Sequence, residues 1–468
     1  MNQEDICFMP ATDLVTAFLA KKLSPVEVMD AVIARIERIN PIVNAFCTLT
    51  LDEARQKAKE AEAAIMRGDR LGPLHGVPVS IKDLVITKGV RTMRGSKIYE
   101  NYIPDEDAPV VERLRDAGAI MLGKTTTPEF GWKGVTDSPV TGITRNPWNL
   151  ERTCGGSSGG AGAAVASGLG PIAQGSDGGG SIRIPGSFCG IYGLKPSYGR
   201  IAAYPASAME TFSHLGPMTR TVKDAALMLQ VMAGPDERDR LSLPAQNIDY
   251  MAATEGDIRG LRVAWSANLG YAIVDPEVER ITEAAAKVFI DLGCHVEAVD
   301  PGFENPEPFF SVFWIGGIGT YISDYLPKWE SQMDPGLVTF AEQLKKLTAK
   351  EYVQANFKRV EFWQKVRKFF EKYDLLLTPS VAVPPFQIGI NSPPEIAGQK
   401  ISWINWTPFT YPFNLTGQPA ATVPCGWTQD GLPVGLQIVG RRYDEATVLR
   451  ASAAFERAKP WANKRPKL

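Results

Sequence analysis

The spacing of apolar and polar positions changes along the chain, and the elements it predicts change with it. In "LSPVEVMDAVIARIERINP" the apolar residues Val28, Val32, Ile36 and Ile39 recur every three or four positions, which places them on one face of a helix. The start of that helix is encoded beside it: Ser24 as N-cap, Pro25 at the first helical position and Glu27 three residues after the cap form a capping box. Pro41 is read as lying beyond the helix end. A second helix, rich in Ala, Glu and Lys, is predicted from about Asp52 to Met66. The period shortens in "GVPVSIKDLV", where Val79, Ile81, Leu84 and Val85 predict a short buried strand. Later, "LRVAWS", a helix from about Pro276 to Leu292 and "CHVEAVD" read as strand, helix, strand, while "DLLLTPSVAV", "PAATVPCG" and "PVGLQIVG" read as buried strands. Alternation of this kind predicts an α/β fold, one large α/β/α domain over residues 1–468 with a central mixed β-sheet flanked by helices. Within it we expect a helical N-terminal segment (1–68), a core at about 70–235 and a C-terminal half (236–468) that completes the sheet and a pocket. The Pro/Gly-rich stretch at about Gln387 to Gln399 reads as a surface loop, because strand-like segments resume on both sides of it.

Composition narrows the partners. The chain of 468 residues is 44% hydrophobic, and 50 basic against 52 acidic side chains give a net charge of -2 without long runs of either sign. That balance predicts neither nucleic-acid nor anionic-membrane binding, and no run of about 18 apolar residues suggests a membrane span. A small-molecule or protein partner is expected. The first residues carry acids where a secretory leader needs bases, so a cytoplasmic location is expected. The six cysteines have no metal-ligand spacing and are too sparse for a disulfide framework, so they read as free, mostly buried thiols.

Residues 154–199 stand apart, holding 15 of the 43 glycines. Glycine weakens a regular element by about 0.5–1 kcal/mol relative to alanine, so this density is expected where the backbone turns sharply or approaches a ligand closely. Two motif matches nearby mislead. "GAIMLGKT" (118–125) fits the phosphate-loop pattern by letter, but its central positions are apolar and Pro128 interrupts any following helix, so it reads as a buried strand ending at Gly123. "GGSSG" and "GSSGG" fit a nucleophile elbow, which needs a histidine base, and the chain has only His75, His214 and His295. His295 lies in a strand pattern and His75 in a loop; His214, in "TFSHLGPMTR", keeps a Ser-His-Asp mechanism open as an alternative.

Three features remain: Lys82 in "PVSIKDL", Ser157 and Ser158 in "CGGSSGG", and Ser181 in "SDGGGSIR". A serine hydroxyl needs a base to become a nucleophile, and a lysine can serve when burial lowers its pKa; the apolar neighbours of Lys82 predict that burial. Consecutive glycines let successive N–H groups converge on one point, as an oxyanion hole requires. "GGSSGGAGAAVASG" followed by "GSDGGGSIRIPGSFCGIYGLKPSYGR" resembles the signature of the amidase signature family, and "GPLHGVPVSIKD", "GKTTTPEFGW", "NPWN", "GPMTRTVKDAA", "LTPS", "NLTGQPAATVP" and "GLPVGLQIVG" resemble its flanking blocks. The resemblance implies a serine hydrolase with Lys82 as base, Ser157 as a bridging serine preceded by a cis peptide, and Ser181 as the acylated nucleophile. It places the oxyanion hole at the N–H groups of Gly178, Gly179, Gly180 and Ser181, with Ser158, Asp177 and Arg183 in support. It implies no metal and no organic cofactor. Gly178 departs from the Thr, Gln or Ile common in the family, a change expected to loosen the loop or widen the pocket.

Amidotransferase glutaminase subunits of this family have "DEFAMG" after "GKTN", whereas this chain has "TPEFGWKG" after "GKT" and resembles stand-alone aryl acylamidases and nylon-oligomer hydrolases. By motif position Trp132 lines the acyl pocket, and Trp314, Trp403, Trp406 and Phe409 are further candidates. Aromatic walls favour hydrophobic or aryl amides, extending to carbamates or esters. The alternative is a glutaminase-type subunit of an amidotransferase. Pocket shape is expected to depend on loops at 130–145, 305–335 and 387–412, and a homodimer is the assembly the resemblance suggests.

Overall fold

Eleven strands hydrogen-bond into one mixed sheet in the computed structural model, which describes residues 2–468. In chain order they are β1 (Phe46–Leu49), β2 (Pro78–Lys82), β3 (Ile120–Thr125), β4 (Ile172–Asp177), β5 (Tyr192–Lys195), β6 (His214–Thr219), β7 (Arg262–Trp265), β8 (His295–Ala298), β9 (Leu375–Pro379), β10 (Ala420–Trp427) and β11 (Pro433–Gly440). Across the sheet their order is β1-β3-β2-β4-β6-β5-β10-β11-β9-β7-β8. β2 runs parallel to both β3 and β4, with Lys82 opposite Thr125 and Ile81 opposite Gln174. A strand with neighbours on both edges and elements on both faces has no solvent side, and every residue of β2 is buried. Because β2 and β4 are parallel, their carboxyl ends, Lys82 and Asp177, emerge at the same edge of the sheet, where open α/β sheets form their crevices.

Two N-terminal helices, α1 (Pro25–Val43) and α2 (Leu51–Arg67), pack together beside β3. The capping box at Ser24 and Glu27 forms as the sequence predicts. The helix, however, runs through Pro41. Proline removes one N–H bond in the last turn, and the end is closed locally: Asn44, at φ 54°, donates its N–H to the Asn40 carbonyl at 2.8 Å, and Asn40 Oδ1 accepts from the N–H groups of Ala45 and Phe46 at 2.9 and 2.8 Å.

Short interior helices follow the glycine-rich segments. α3 (Gly159–Ala166) contains no residue larger than valine and is buried on every side. A Cβ at Gly159 would lie 2.2 Å from Thr136 Oγ1, so the small residues set how closely this helix approaches its surroundings. α4 (Arg183–Cys189) follows the triple glycine and packs on β10 and β11. α5 (Pro276–Asp291) packs on the same two strands.

The segment at 305–335, expected as a loop, is largely helical: α6 (Glu307–Ser323) is followed by a short turn of helix at Leu326–Trp329, then α7 (Pro335–Glu342) and α8 (Ala349–Lys372). Its apolar residues surround α6 instead of forming a stripe, so no helical period could be read from them. These helices share one apolar cluster with Phe130, Trp132 and Tyr411, over the edge of the sheet where Lys82 and Asp177 emerge. All six cysteines are free, four of them buried and Cys47 and Cys425 partly so. Among the described residues no helix is long and apolar enough to cross a membrane.

Candidate active site

The Lys82 side chain leaves the end of β2 into a fully buried position. Its Nζ donates to three serine hydroxyls: Ser157 Oγ at 2.8 Å, Ser158 Oγ at 2.9 Å and Ser176 Oγ at 3.0 Å. Among the described residues no carboxylate contacts it. Burial disfavours the ammonium and brings its pKa down to about 7, with the charge of Asp177 pulling weakly the other way. An amine titrating there is neutral in much of the population at neutral pH and can accept a proton.

Ser157 and Ser158 are presented by the turn that enters α3. The Gly156–Ser157 peptide is cis. The Ser158 N–H donates to the Ser181 carbonyl at 3.1 Å, and its hydroxyl donates to the Ser176 carbonyl at 3.0 Å, so Ser158 ties the serine turn to both ends of the glycine loop. Ser176 was not singled out in the sequence; the signal was its place next to Asp177, at the end of the same strand.

Asp177 organises the loop 178–181. Its carboxylate accepts from Gly180 N–H at 2.7 Å, Ile182 N–H at 3.2 Å, Arg183 Nε and Nη2 at 3.0 and 2.9 Å, and Asn414 Nδ2 at 2.8 Å. Burial works to raise this carboxyl, but Arg183 beside it, helped by the hydrogen bonds, outweighs burial and holds it well below the usual carboxylate range. Arg183 is itself held by the Thr410 carbonyl (2.9 Å), Gln437 Oε1 (2.7 Å) and Asn414 Oδ1 (2.7 Å). The buried pair is therefore fully hydrogen-bonded, which a buried charge requires.

One expected donor is engaged inside the loop. Gly180 N–H points at Asp177, which leaves the N–H groups of Gly178, Gly179 and Ser181 without an acceptor among the described residues. The glycines are needed for close approach: a Cβ at Gly178 would lie 3.3 Å from the Trp314 ring, and one at Gly179 would lie 3.0 Å from Phe310. The expectation that Gly178 widens the pocket is thus corrected, because Trp314 takes up the space. Ser181 is 7% exposed and borders a cavity of about 450 Å³; its hydroxyl makes no hydrogen bond among the described residues.

Trp132, Trp314, Trp403 and Trp406 all line that cavity, together with Phe310 and Phe340. Trp132 stacks on Trp403, with ring centres 6.5 Å apart, and its carbonyl accepts from Trp314 Nε1 at 3.0 Å. Phe409 does not line it; the side chain is buried in the apolar cluster beside β9 and β11. His214 offers no base to either serine. Its Nδ1 faces the carbonyls of Phe212 and Asp177 at 2.5 and 3.2 Å, Nε2 has no partner among the described residues, and burial lowers its pKa well below the usual value. The "GAIMLGKT" segment forms β3, which runs on to Thr125, and its Lys124 points into the interior.

A model of the Amidase family matches residues 27–449. An acylamidase of Rhodococcus erythropolis is 42% identical over 100% of this chain and 98% of its own length. A component of the glutamyl-tRNA(Gln) amidotransferase of Moorella thermoacetica is 37% identical over 99% of each chain. Among solved structures, a bacterial aryl acylamidase of the amidase signature enzymes superposes with a TM-score of 0.92 at 33% identity, over 97% of each chain.

Proposed function

The chain belongs to the amidase family, hydrolases acting on amide C–N bonds, and on that premise we propose that it cleaves hydrophobic or aryl amides through an acyl-enzyme on Ser181, with Lys82 as base and Ser157 as the relay between them. The observation that carries this reading is the contact of a fully buried Lys82, which touches no carboxylate among the described residues, with Ser157 at 2.8 Å.

In the forward step neutral Lys82 takes the Ser157 proton as Ser157 takes that of Ser181, and Ser181 Oγ bonds to the amide carbon. The N–H groups of Gly178, Gly179 and Ser181 receive the negative charge that develops on the carbonyl oxygen; a donor in such a position typically contributes about 2.7–4 kcal/mol to lowering the barrier. As the C–N bond breaks, the proton returns through Ser157 to the leaving nitrogen, and the amine departs. Water then adds to the acyl carbon by the same relay, its proton passing to Lys82 and back to Ser181 as the acid is released. Asp177 and Arg183 hold the glycine loop in register without touching substrate.

Hydrophobic and aryl substrates are supported by the aromatic walls of the cavity beside Ser181. A stand-alone acylamidase is favoured over an amidotransferase component by the segment "TPEFGWKG", which holds Trp132 and stands after "GKT" where the amidotransferase subunits have "DEFAMG". Turnover of a panel of acyl anilides and primary amides by the wild-type protein and by Ser181→Ala tests the assignment: loss of all turnover is expected, and unchanged turnover contradicts it. Stable co-purification with a partner protein, together with activity on glutamine alone, favours the amidotransferase reading.

A further inference from the structure

The cavity beside Ser181 is not aromatic throughout. Lys133 and Asn391 also line it, at the end bordered by α7. Lys133 is only 6% exposed, and its Nζ donates to three acceptors: Asp137, Asp334 Oδ2 at 2.7 Å and Asn391 Oδ1 at 2.9 Å. All three ammonium protons are engaged, so Lys133 has none left for a ligand. It nevertheless fixes the neighbour. An ammonium has no acceptor capacity, so the atom of Asn391 that faces it is the oxygen, and the amide nitrogen is turned the other way. Asn391 Nδ2 makes no hydrogen bond among the described residues, although the residue is exposed at the cavity mouth.

Both ends of this arrangement are anchored. Asp334 caps α7, accepting from Gly336 N–H at 2.8 Å, while its own N–H donates to Glu129 Oε2 at 2.6 Å. The chain just before Asn391 is pinned to the 151–153 segment: Thr153 N–H donates to the Phe386 carbonyl at 2.8 Å and Ile388 N–H to the Glu151 carbonyl at 3.2 Å. The Asn391 amide is therefore a preoriented hydrogen-bond donor in the wall of an aromatic cavity, beside Gly336 at the start of α7.

The geometry points to Asn391 as a specificity residue for substrates whose ring or chain, lying in the cavity, carries a neutral hydrogen-bond acceptor remote from the scissile amide: a ketone, ester, ether or second amide oxygen. Lys133 acts through it as a positioning residue. A carboxylate is disfavoured there, because Asp137 and Asp334 together outweigh the single charge of Lys133. This inference rests on the reading of Ser181 as nucleophile, since that fixes which end of the cavity is remote.

The test uses the rate at which a fluorophosphonate probe labels Ser181, and the concentration of competing anilide that halves it. Two matched pairs are compared, with para-acetyl or para-isopropyl on the acyl ring or on the amine ring. The electronic effect of the acetyl group is common to wild type and variant, so it cancels in their ratio. Wild type is expected to favour the acetyl member in at least one pair, Asn391→Leu to reduce that preference by roughly two- to tenfold, and Lys133→Met to reduce it in the same direction. The isopropyl compounds should compete equally well in wild type and Asn391→Leu, which separates loss of a specific bond from general damage to the site. A para-carboxylate analogue should be the weakest competitor in wild type. An acetyl preference unchanged in Asn391→Leu overturns the inference while leaving the nucleophile in place; failure of the probe to label Ser181 at all overturns the underlying reading as well. Because Asn391 is exposed, its variant keeps the test open even if Lys133→Met does not fold.

Discussion

Lys82 on β2 and Lys124 on β3 are both completely buried, lie on adjacent parallel strands and are one register step apart, yet their surroundings differ in kind. Desolvation lowers both, Lys82 to about 7 and Lys124 to about 8, but Asp83 leads the opposing charges around Lys124, whereas Asp177 is the opposing charge on Lys82. The partners differ more. Lys124 Nζ donates to the Val85 carbonyl and to Thr87 and Thr92 at 2.9 and 3.1 Å. A carbonyl can only accept, so that site holds a donor in place. Among the described residues Lys82 meets hydroxyls alone; Ser158 already donates its proton to the Ser176 carbonyl, but those of Ser157 and Ser176 make no other hydrogen bond and can reverse theirs, so the lysine proton can leave and return without orphaning a neighbour. Burial alone does not mark a catalytic lysine; reversible partners do.

The comparison breaks most sharply on the pair Lys82→Met and Lys124→Met. Lys82→Met is expected to lose at least about a thousandfold in kcat/KM, because Ser157 then has no base, while its thermal midpoint stays within a few degrees of wild type. Lys124→Met is expected to lose about 2–4 kcal/mol of stability in urea titration, through the loss of three buried hydrogen bonds, to the Val85 carbonyl and the Thr87 and Thr92 hydroxyls, with kcat per folded molecule within about threefold of wild type. An inactive but stable Lys124→Met would reverse the two assignments.

A pH profile sharpens the same contrast. Protonated Lys82 cannot accept a proton, and the protonated form dominates below its lowered pKa. The kcat/KM of wild type should therefore fall on the acid side with a limb near pH 7, where an unperturbed lysine would place it near 10.4. Smaller effects lie on the other side of Ser181. Trp403→Ala should raise KM for bulky aryl amides by about three- to tenfold with kcat little changed, since it removes a wall and leaves the relay intact.

The two sides of Ser181 were also unequally legible in the sequence. Lys82, Ser157, Ser158, Asp177 and Ser181 sit in short segments of unusual composition, and the fold gathers them by ending the strands of Lys82 and Asp177 at one edge of the sheet and bringing the serine turn and the glycine loop to it. The supports for Arg183 come from Thr410, Asn414 and Gln437, single polar residues on remote elements whose roles exist only after the chain has folded. Phe310 was hidden for a different reason: α6 is apolar on every face, so the period that would have announced a helix is absent. Pro41 misled because a local cap on Asn44 lets the helix continue past it. Among the aromatic candidates the four tryptophans reach the cavity and Phe409 does not, although Trp406 belongs to the same apolar cluster, and no periodicity in the sequence separates the two.

The central claim is that Ser181 becomes nucleophilic through Lys82. Mapping by mass spectrometry the site at which a fluorophosphonate labels the protein, and following the labelling rate with pH in wild type and in Lys82→Met, tests it most directly. The account predicts a single adduct on Ser181, a rate that rises through about pH 7 in wild type, and a rate in Lys82→Met that is slower by at least about a hundredfold and has lost that limb. An adduct on another residue, or a Ser181 rate and pH limb unchanged in Lys82→Met, would contradict it.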